Sequence, residues 1–100
     1  MTEEKILSKV AEVIGRKLPK DFHGKVFLFG SRVTGKARNR SDFHIGIEGN
    51  EALPSGTMAE IRWELDGLPI LHTVEVVDFA GVSEAFAKVA KEKTRVLFER

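Results

Sequence analysis

Apolar residues recur along this chain in two periods, and the switches between them mark out its elements. Over residues 3–18, Ile6, Leu7, Val10, Val13, Ile14 and Leu18 return on one broad face, with Lys5, Lys9, Glu12 and Arg16 outside it. The pattern predicts an amphipathic helix, with Thr2 placed to cap its start and Pro19 to stop it. KVFLF, residues 25–29, is too short and too rich in aromatic or β-branched residues for a helix and reads as a strand. It runs into Gly30-Ser31, where glycine permits a sharp turn and serine can open a helical turn. Alternation returns at 42–47, with Phe43, Ile45 and Ile47 on one side and Asp42, His44 and Gly46 on the other.

GNEALPSG, residues 49–56, is a loop by its glycine and proline content. A helix of about ten residues follows, with Met58, Ile61, Leu65 and Leu68 on one stripe. TVEVVDF, residues 73–79, predicts a third strand. Ser83 then opens a last helix whose expected inner face is Val82, Ala85, Phe86, Val89 and Ala90, and VLF at 96–98 closes the chain as a short strand. This order implies an α/β (α+β) domain in which helices cover a small mixed sheet. At 100 residues, with no internal repeat, linker or low-complexity segment, residues 1–100 read as a single domain.

Composition narrows the class. Apolar residues make up 42% and charged residues 31%, the balance of a globular protein. Sixteen basic side chains against fifteen acidic ones argue against a nucleic-acid partner. The absence of cysteine excludes disulfides and thiolate metal sites. No apolar run approaches the ~18 residues needed to span a bilayer, and TEEKILSK is no signal peptide, so the expected setting is the cytoplasm with no membrane partner.

The chemistry concentrates in FGSRVTGKARNRSDFHIGI, residues 29–47. A strand entering a Gly-Ser turn at a helical start presents backbone N–H groups that suit a phosphate, although an ordinary turn has the same sequence. Gly35, Lys36, Arg38 and Arg40 add flexibility and positive charge, or simply make a solvated basic loop. Asp42 and His44, two apart on a strand, leave the same face. Glu75 lies within an otherwise apolar VEVVDF, a costly place for a charge unless it is paired, coordinating or partly exposed. If the two strands are neighbours, Asp42, His44 and Glu75 converge. Asp78 reads as a cap before the next loop, and His23 and His72 as surface or turn residues. Trp63 falls well outside the Met58–Ile61–Leu65 stripe and should face away from the core, where a tryptophan suits a binding surface.

This stretch resembles the signature of the minimal nucleotidyltransferases in the DNA polymerase β-like superfamily. Their form Gly-Ser-Arg-x-x-Gly-x-Ala-x-x-x-Ser-Asp is matched by Gly30, Ser31, Arg32, Gly35, Ala37, Ser41 and Asp42. The third acid of that family lies on a later strand that VEVVDF matches, which places Glu75 there, and SEAFAKVAKEKTRVLFE is similar to the family's last helix and strand. The resemblance covers almost the whole chain and implies the nucleotidyltransferase fold. It further implies transfer of a nucleoside monophosphate from ATP or another nucleoside triphosphate to a hydroxyl on a partner macromolecule. Gly30, Ser31 and Arg32 would bind the nucleotide, Asp42 and Glu75 would be catalytic, and Asp42, His44 and Glu75 would hold Mg²⁺.

Two positions depart from the pattern. Glu75 stands for aspartate and keeps the carboxylate. His44 stands for the second metal-binding aspartate, removing a negative charge and offering nitrogen where Mg²⁺ takes oxygen, so Mn²⁺ becomes a candidate. Members of the family pair with helical HEPN proteins, often as antitoxins, and either a HEPN partner or a homo-oligomer is the expected assembly. Two functions therefore stay open: an active transferase that modifies its partner, and a catalytically degenerate nucleotide-binding or antitoxin subunit that acts by contact alone.

Overall fold

The computed structural model describes residues 2–100, which form a four-stranded sheet with helices on both faces. The first helix, α1 (Glu3–Lys17), starts where expected, with the Thr2 hydroxyl accepting from the Lys5 N–H at 3.2 Å. Then come β1 (Gly24–Phe29), a single helical turn α2 (Ser31–Thr34), β2 (Phe43–Gly49), α3 (Ser55–Asp66) and β3 (Val74–Asp78). A short 3₁₀ turn at Phe79–Gly81 leads to α4 (Glu84–Ala90), capped by Ser83 as its sequence suggests, and β4 (Arg95–Glu99) ends the chain. Asp78 caps the 3₁₀ turn through Oδ1 on the Ala80 N–H, while its Oδ2 accepts from Leu53.

The strand order is β3-β2-β1-β4, with β1 antiparallel to β2 and β4 and β2 parallel to β3. Strand alternation sorts the side chains into two layers. Val26, Leu28, Phe43, Ile45, Ile47, Val74 and Val76 face α1 and α3, whose Ile6, Leu7, Val10, Val13, Ile14, Met58, Ile61 and Leu65 complete the main core. Burial of these apolar side chains holds the helices, because exposed ion pairs contribute little by comparison. Phe27 and Phe29 point the other way and meet Phe79, with Val77, Val82, Ala87 and Ala90 packed on them.

That second layer corrects one expectation. Of the expected inner face, Val82 and Ala90 pack on this layer together with Ala87, and half-exposed Phe86 meets the Phe29 and Phe79 rings at 6.2 and 5.9 Å, whereas Ala85 and Val89 are exposed. Ala87 and Ala90 let a two-turn helix sit close over three bulky rings; Phe86 reaches those rings with one side still exposed, and Val89 is left along the flank. Gly46 permits the same closeness from the sheet side. A Cβ there would lie 2.5 Å from Phe27 Cζ and 2.6 Å from Phe79 Cε1, and Phe27 is fully buried with no room to retreat. Among the described residues no helix is long and apolar enough to cross a membrane.

Two forked ion pairs tie α1 to its neighbours. Arg16 donates to both oxygens of Glu64 on α3 at 3.1 and 2.8 Å, and Arg95 on β4 to both oxygens of Glu4 at 2.7 and 2.8 Å. Their hydrogen bonds hold the Glu64 and Glu4 carboxyls below the usual carboxylate range.

Gly46→Ala is expected to destabilise the fold by about 1–3 kcal/mol, lowering the melting temperature by roughly 5–20 °C in a calorimetric scan. The depressed Glu4 and Glu64 values favour the folded state above the ordinary glutamate value of 4.5, and this contribution is lost as pH falls through the lower folded-state values. Melting curves below about pH 4.5 should therefore decline more gently for the double Glu4→Gln, Glu64→Gln variant than for the wild type.

Candidate active site

The register of β2 assembles the site. Phe29 of β1 pairs with His44 on one side, and Glu75 of β3 pairs with His44 on the other. Asp42 immediately precedes β2, on the same side as His44. One ligand atom each from Asp42, His44 and Glu75 lies within 4.8 Å of the others, so the structure brings together the three residues that strand parity pointed to. His44 Nδ1 is 3.2 Å from Glu75 Oε2, and the imidazole leans on the Phe29 ring at a centroid distance of 5.7 Å. Glu75 is no buried charge. β3 is an edge strand, and the Glu75 side chain is 55% exposed, which spares the carboxylate its desolvation cost.

Gly30 sits directly against this cluster. Its φ of 84° is a left-handed value that favours glycine, and a Cβ there would lie 3.1 Å from His44 Cδ2. A side chain at residue 30 would thus crowd the imidazole at 44 by a few tenths of an ångström and strain the left-handed backbone as well. The Val33 and Thr34 N–H groups bond back to the Gly30 carbonyl at 3.0 and 3.2 Å, while the earlier N–H groups of α2 have no intrahelical acceptor. The turn borders a groove of about 680 Å³ running to α4, lined by Phe29, Gly30, Ser31, Thr34, Lys36, Phe86, Val89 and Lys93 among others. Phe86 and Val89 belong to this groove; the period alone had assigned them to the core. Ala87, which with the expected Ala90 offers a small-residue inward face, was the available signal.

Arg32 lies elsewhere. Its guanidinium donates to the Ser41 carbonyl through Nε and Nη2, at 3.1 and 2.7 Å, and to the Asn39 carbonyl at 3.1 Å. It lies 4.0 Å over the Phe43 ring and 3.6 Å from Glu3. It lines a separate cavity of about 520 Å³ with Glu3, Ile6, Phe43 and His72, a cavity that touches neither Gly30 nor Ser31. His72, expected to be a bland turn residue, is bound into the same region. Its Nε2 is 2.6 Å from the Asn39 carbonyl oxygen, its ring meets Phe43 edge-on at 5.4 Å, and Nδ1 is buried with no partner. The two contacting residues are 33 positions apart, so no local pattern announces the pair. His23 is exposed, and Trp63 is 81% exposed, as its helical phase requires.

The donor set of the cluster is two carboxylates and one imidazole, with spacing suited to one divalent cation. The imidazole nitrogen fits Mn²⁺ or a softer ion better than Mg²⁺.

No curated protein matches the chain by sequence. Several solved structures match by fold. One is from the tri-AMPylated HEPN toxin of Shewanella oneidensis in complex with MNT antitoxin, at a TM-score of 0.74 and 17% identity, covering 99% of this chain and 74% of that one. Another is from a toxin-antitoxin complex with AMP-PNP, at a TM-score of 0.73 and 20% identity over 99% of this chain and 75% of that one. A third is from the MntA-HepT toxin-antitoxin complex, at a TM-score of 0.73 and 17% identity over 98% of this chain and 74% of that one. At these identities the likeness is one of fold. The sequence itself carries the relationship further: residues 14–100 match the family described as polymerase beta, nucleotidyltransferase, and the chain belongs to that family.

Proposed function

We propose that residues 1–100 form one minimal nucleotidyltransferase domain, working in the cytoplasm with a HEPN-type helical protein as partner and acceptor. The observation that carries this reading is the convergence of Asp42, His44 and Glu75 within 4.8 Å, against the Gly30 turn. In this reading the Gly30-Ser31 turn holds the outer phosphates of ATP or another nucleoside triphosphate. Lys36 and Lys93 offset phosphate charge along the groove, and Phe86 with Val89 supplies apolar surface for the base. Asp42, His44 and Glu75 hold the cation, Mn²⁺ more readily than the Mg²⁺ typical of the family. When bound, a divalent cation neutralises phosphate charge and acidifies a hydroxyl in contact with it.

Asp42 and Glu75 are the catalytic carboxylates. Glu75, the most exposed of the three, takes the proton of the incoming acceptor hydroxyl. The acceptor oxygen then bonds to the α-phosphorus, the bond from that phosphorus to the bridging oxygen breaks, and pyrophosphate leaves. The fold neighbours described as toxin-antitoxin complexes support a HEPN partner for this chain.

One observation favours a second reading, a degenerate subunit that neutralises its partner by contact alone. His44 already occupies Glu75 through the 3.2 Å contact, and it supplies nitrogen where a phosphate-bound Mg²⁺ takes oxygen. Calorimetric titration of ATP separates the two. His44→Asp should tighten binding in Mg²⁺ by about tenfold, or about 1.4 kcal/mol, while the wild type should gain more from Mn²⁺ than the variant does. Transfer of label from radioactive ATP to the HEPN partner by the wild type in Mn²⁺ supports the transferase; its absence there, with partner binding intact, supports contact alone.

Trp63 is the expected anchor of the partner surface. Trp63→Ala should leave the melting temperature nearly unchanged and weaken partner binding or self-association by about tenfold or more, read by calorimetry and by sedimentation. A large loss of melting temperature with unchanged association would count against it.

A further inference from the structure

The Ser41 carbonyl belongs to the peptide that joins Ser41 to Asp42, and it accepts two hydrogen bonds from one guanidinium, at 3.1 and 2.7 Å. Fixing that oxygen fixes the plane from which Asp42 departs. The guanidinium is itself held. Only 9% of the Arg32 side chain is exposed, its flat face rests 4.0 Å over Phe43, and Nη2 also reaches the Asn39 carbonyl at 3.1 Å. The segment it grips has further ties. The Ser41 N–H bonds the Arg38 carbonyl at 3.0 Å, the Ser41 hydroxyl accepts from the Arg38 N–H at 2.8 Å, and His72 Nε2 donates to the Asn39 carbonyl at 2.6 Å. Phe43, on the other side of Asp42, is anchored by its N–H to the Thr73 carbonyl at 2.9 Å.

We infer that Arg32 is a positioning residue: it clamps residues 38–41 and thereby sets the place of the Asp42 carboxylate relative to His44 and Glu75. This deepens the transferase reading and rests on it for the role of Asp42. A lysine at 32 keeps the charge but lacks the planar fork, so it cannot hold the Ser41 and Asn39 carbonyls together while resting on Phe43. The clamp acts through geometry, since the Arg32 side chain is nearly buried and its Nε and Nη2 donors are spent on the Ser41 and Asn39 carbonyls.

The test compares Arg32→Lys with Arg95→Lys, which removes an equally forked arginine pair on the far edge strand. Two quantities are read on the full chain: Mn²⁺ affinity by calorimetry, and amide hydrogen exchange across residues 38–43. Arg32→Lys is expected to weaken Mn²⁺ binding about tenfold and to speed exchange in 38–43, with the strand amides of β1 unchanged; Arg95→Lys should do neither. Faster exchange with wild-type Mn²⁺ affinity overturns the inference, since Arg32 would then be structural only. Weaker Mn²⁺ binding with unchanged exchange also overturns it, because the effect would not pass through the loop. If the wild type binds no Mn²⁺, the transferase reading fails separately. The exchange arm then decides only whether the loop is clamped: acceleration confined to 38–43 in Arg32→Lys keeps the clamp while the positioning role falls, and equal rates overturn both.

Discussion

The site depends on the register of β2 between two different kinds of neighbour. On one side β1 runs antiparallel and delivers the chain into the Gly30 turn at the level of His44. On the other, β3 runs parallel and brings Glu75 to the same level. A slip of one residue in either pairing would turn Phe43 out of the main core and His44 into it, because successive side chains change face. Fully buried Phe43, Ile45 and Ile47 make such a slip very costly. The hydrophobic core therefore does more than hold the sheet. It fixes the positions of three polar groups on the opposite face.

That opposite face is covered with much smaller contacts. Three phenylalanine rings, the absent side chain at Gly46 and the alanines of α4 allow a two-turn helix to close over it. Phe86 and Val89 remain along the edge of the helix, beside the Gly30 turn, and give the groove its apolar wall. A helix with its large side chains inward would bury more surface and leave no such wall. The packing of α4 is the stage at which stability gives way to a usable cavity.

Much of this was legible in the sequence, for identifiable reasons. The periodicity of α1 and the alternation of β2 report burial directly, so those elements and the convergence of Asp42 and His44 followed from spacing. Glu75 was placed by assuming adjacent strands, and its edge position explains the exposure that its apolar neighbours hid. The inward face of α4 was read only in part: Val82 and Ala90 pack as the period implies, but Ala87 replaces Val89 inside, because close packing on aromatic rings selects small residues. Arg32 and His72 were opaque for another reason: both act on backbone carbonyls of residues 38–41, and a carbonyl has no sequence signature.

The histidine at 44 changes the energetics of the cluster even before any ligand arrives. Three carboxylates held within this spacing would repel one another, each pair by about 1 kcal/mol at 4 Å in water and more where solvent is partly excluded. A cation that binds such a group gains the relief of that repulsion in addition to its own bonds. With His44, the imidazole Nδ1 lies 3.2 Å from Glu75 Oε2 in place of a third carboxylate, and that share of the repulsion is gone. Histidine at this position lowers the drive to bind a hard dication from both ends, by supplying a poorer ligand and by leaving less carboxylate repulsion for a cation to relieve. It also leaves the fold intact, since position 44 faces away from the main core and its ring is supported by Phe29 and by the bare Cα of Gly30. The polymerase β-type framework thus accommodates histidine in place of a carboxylate at position 44, while the strand register that positions the cluster stays unchanged.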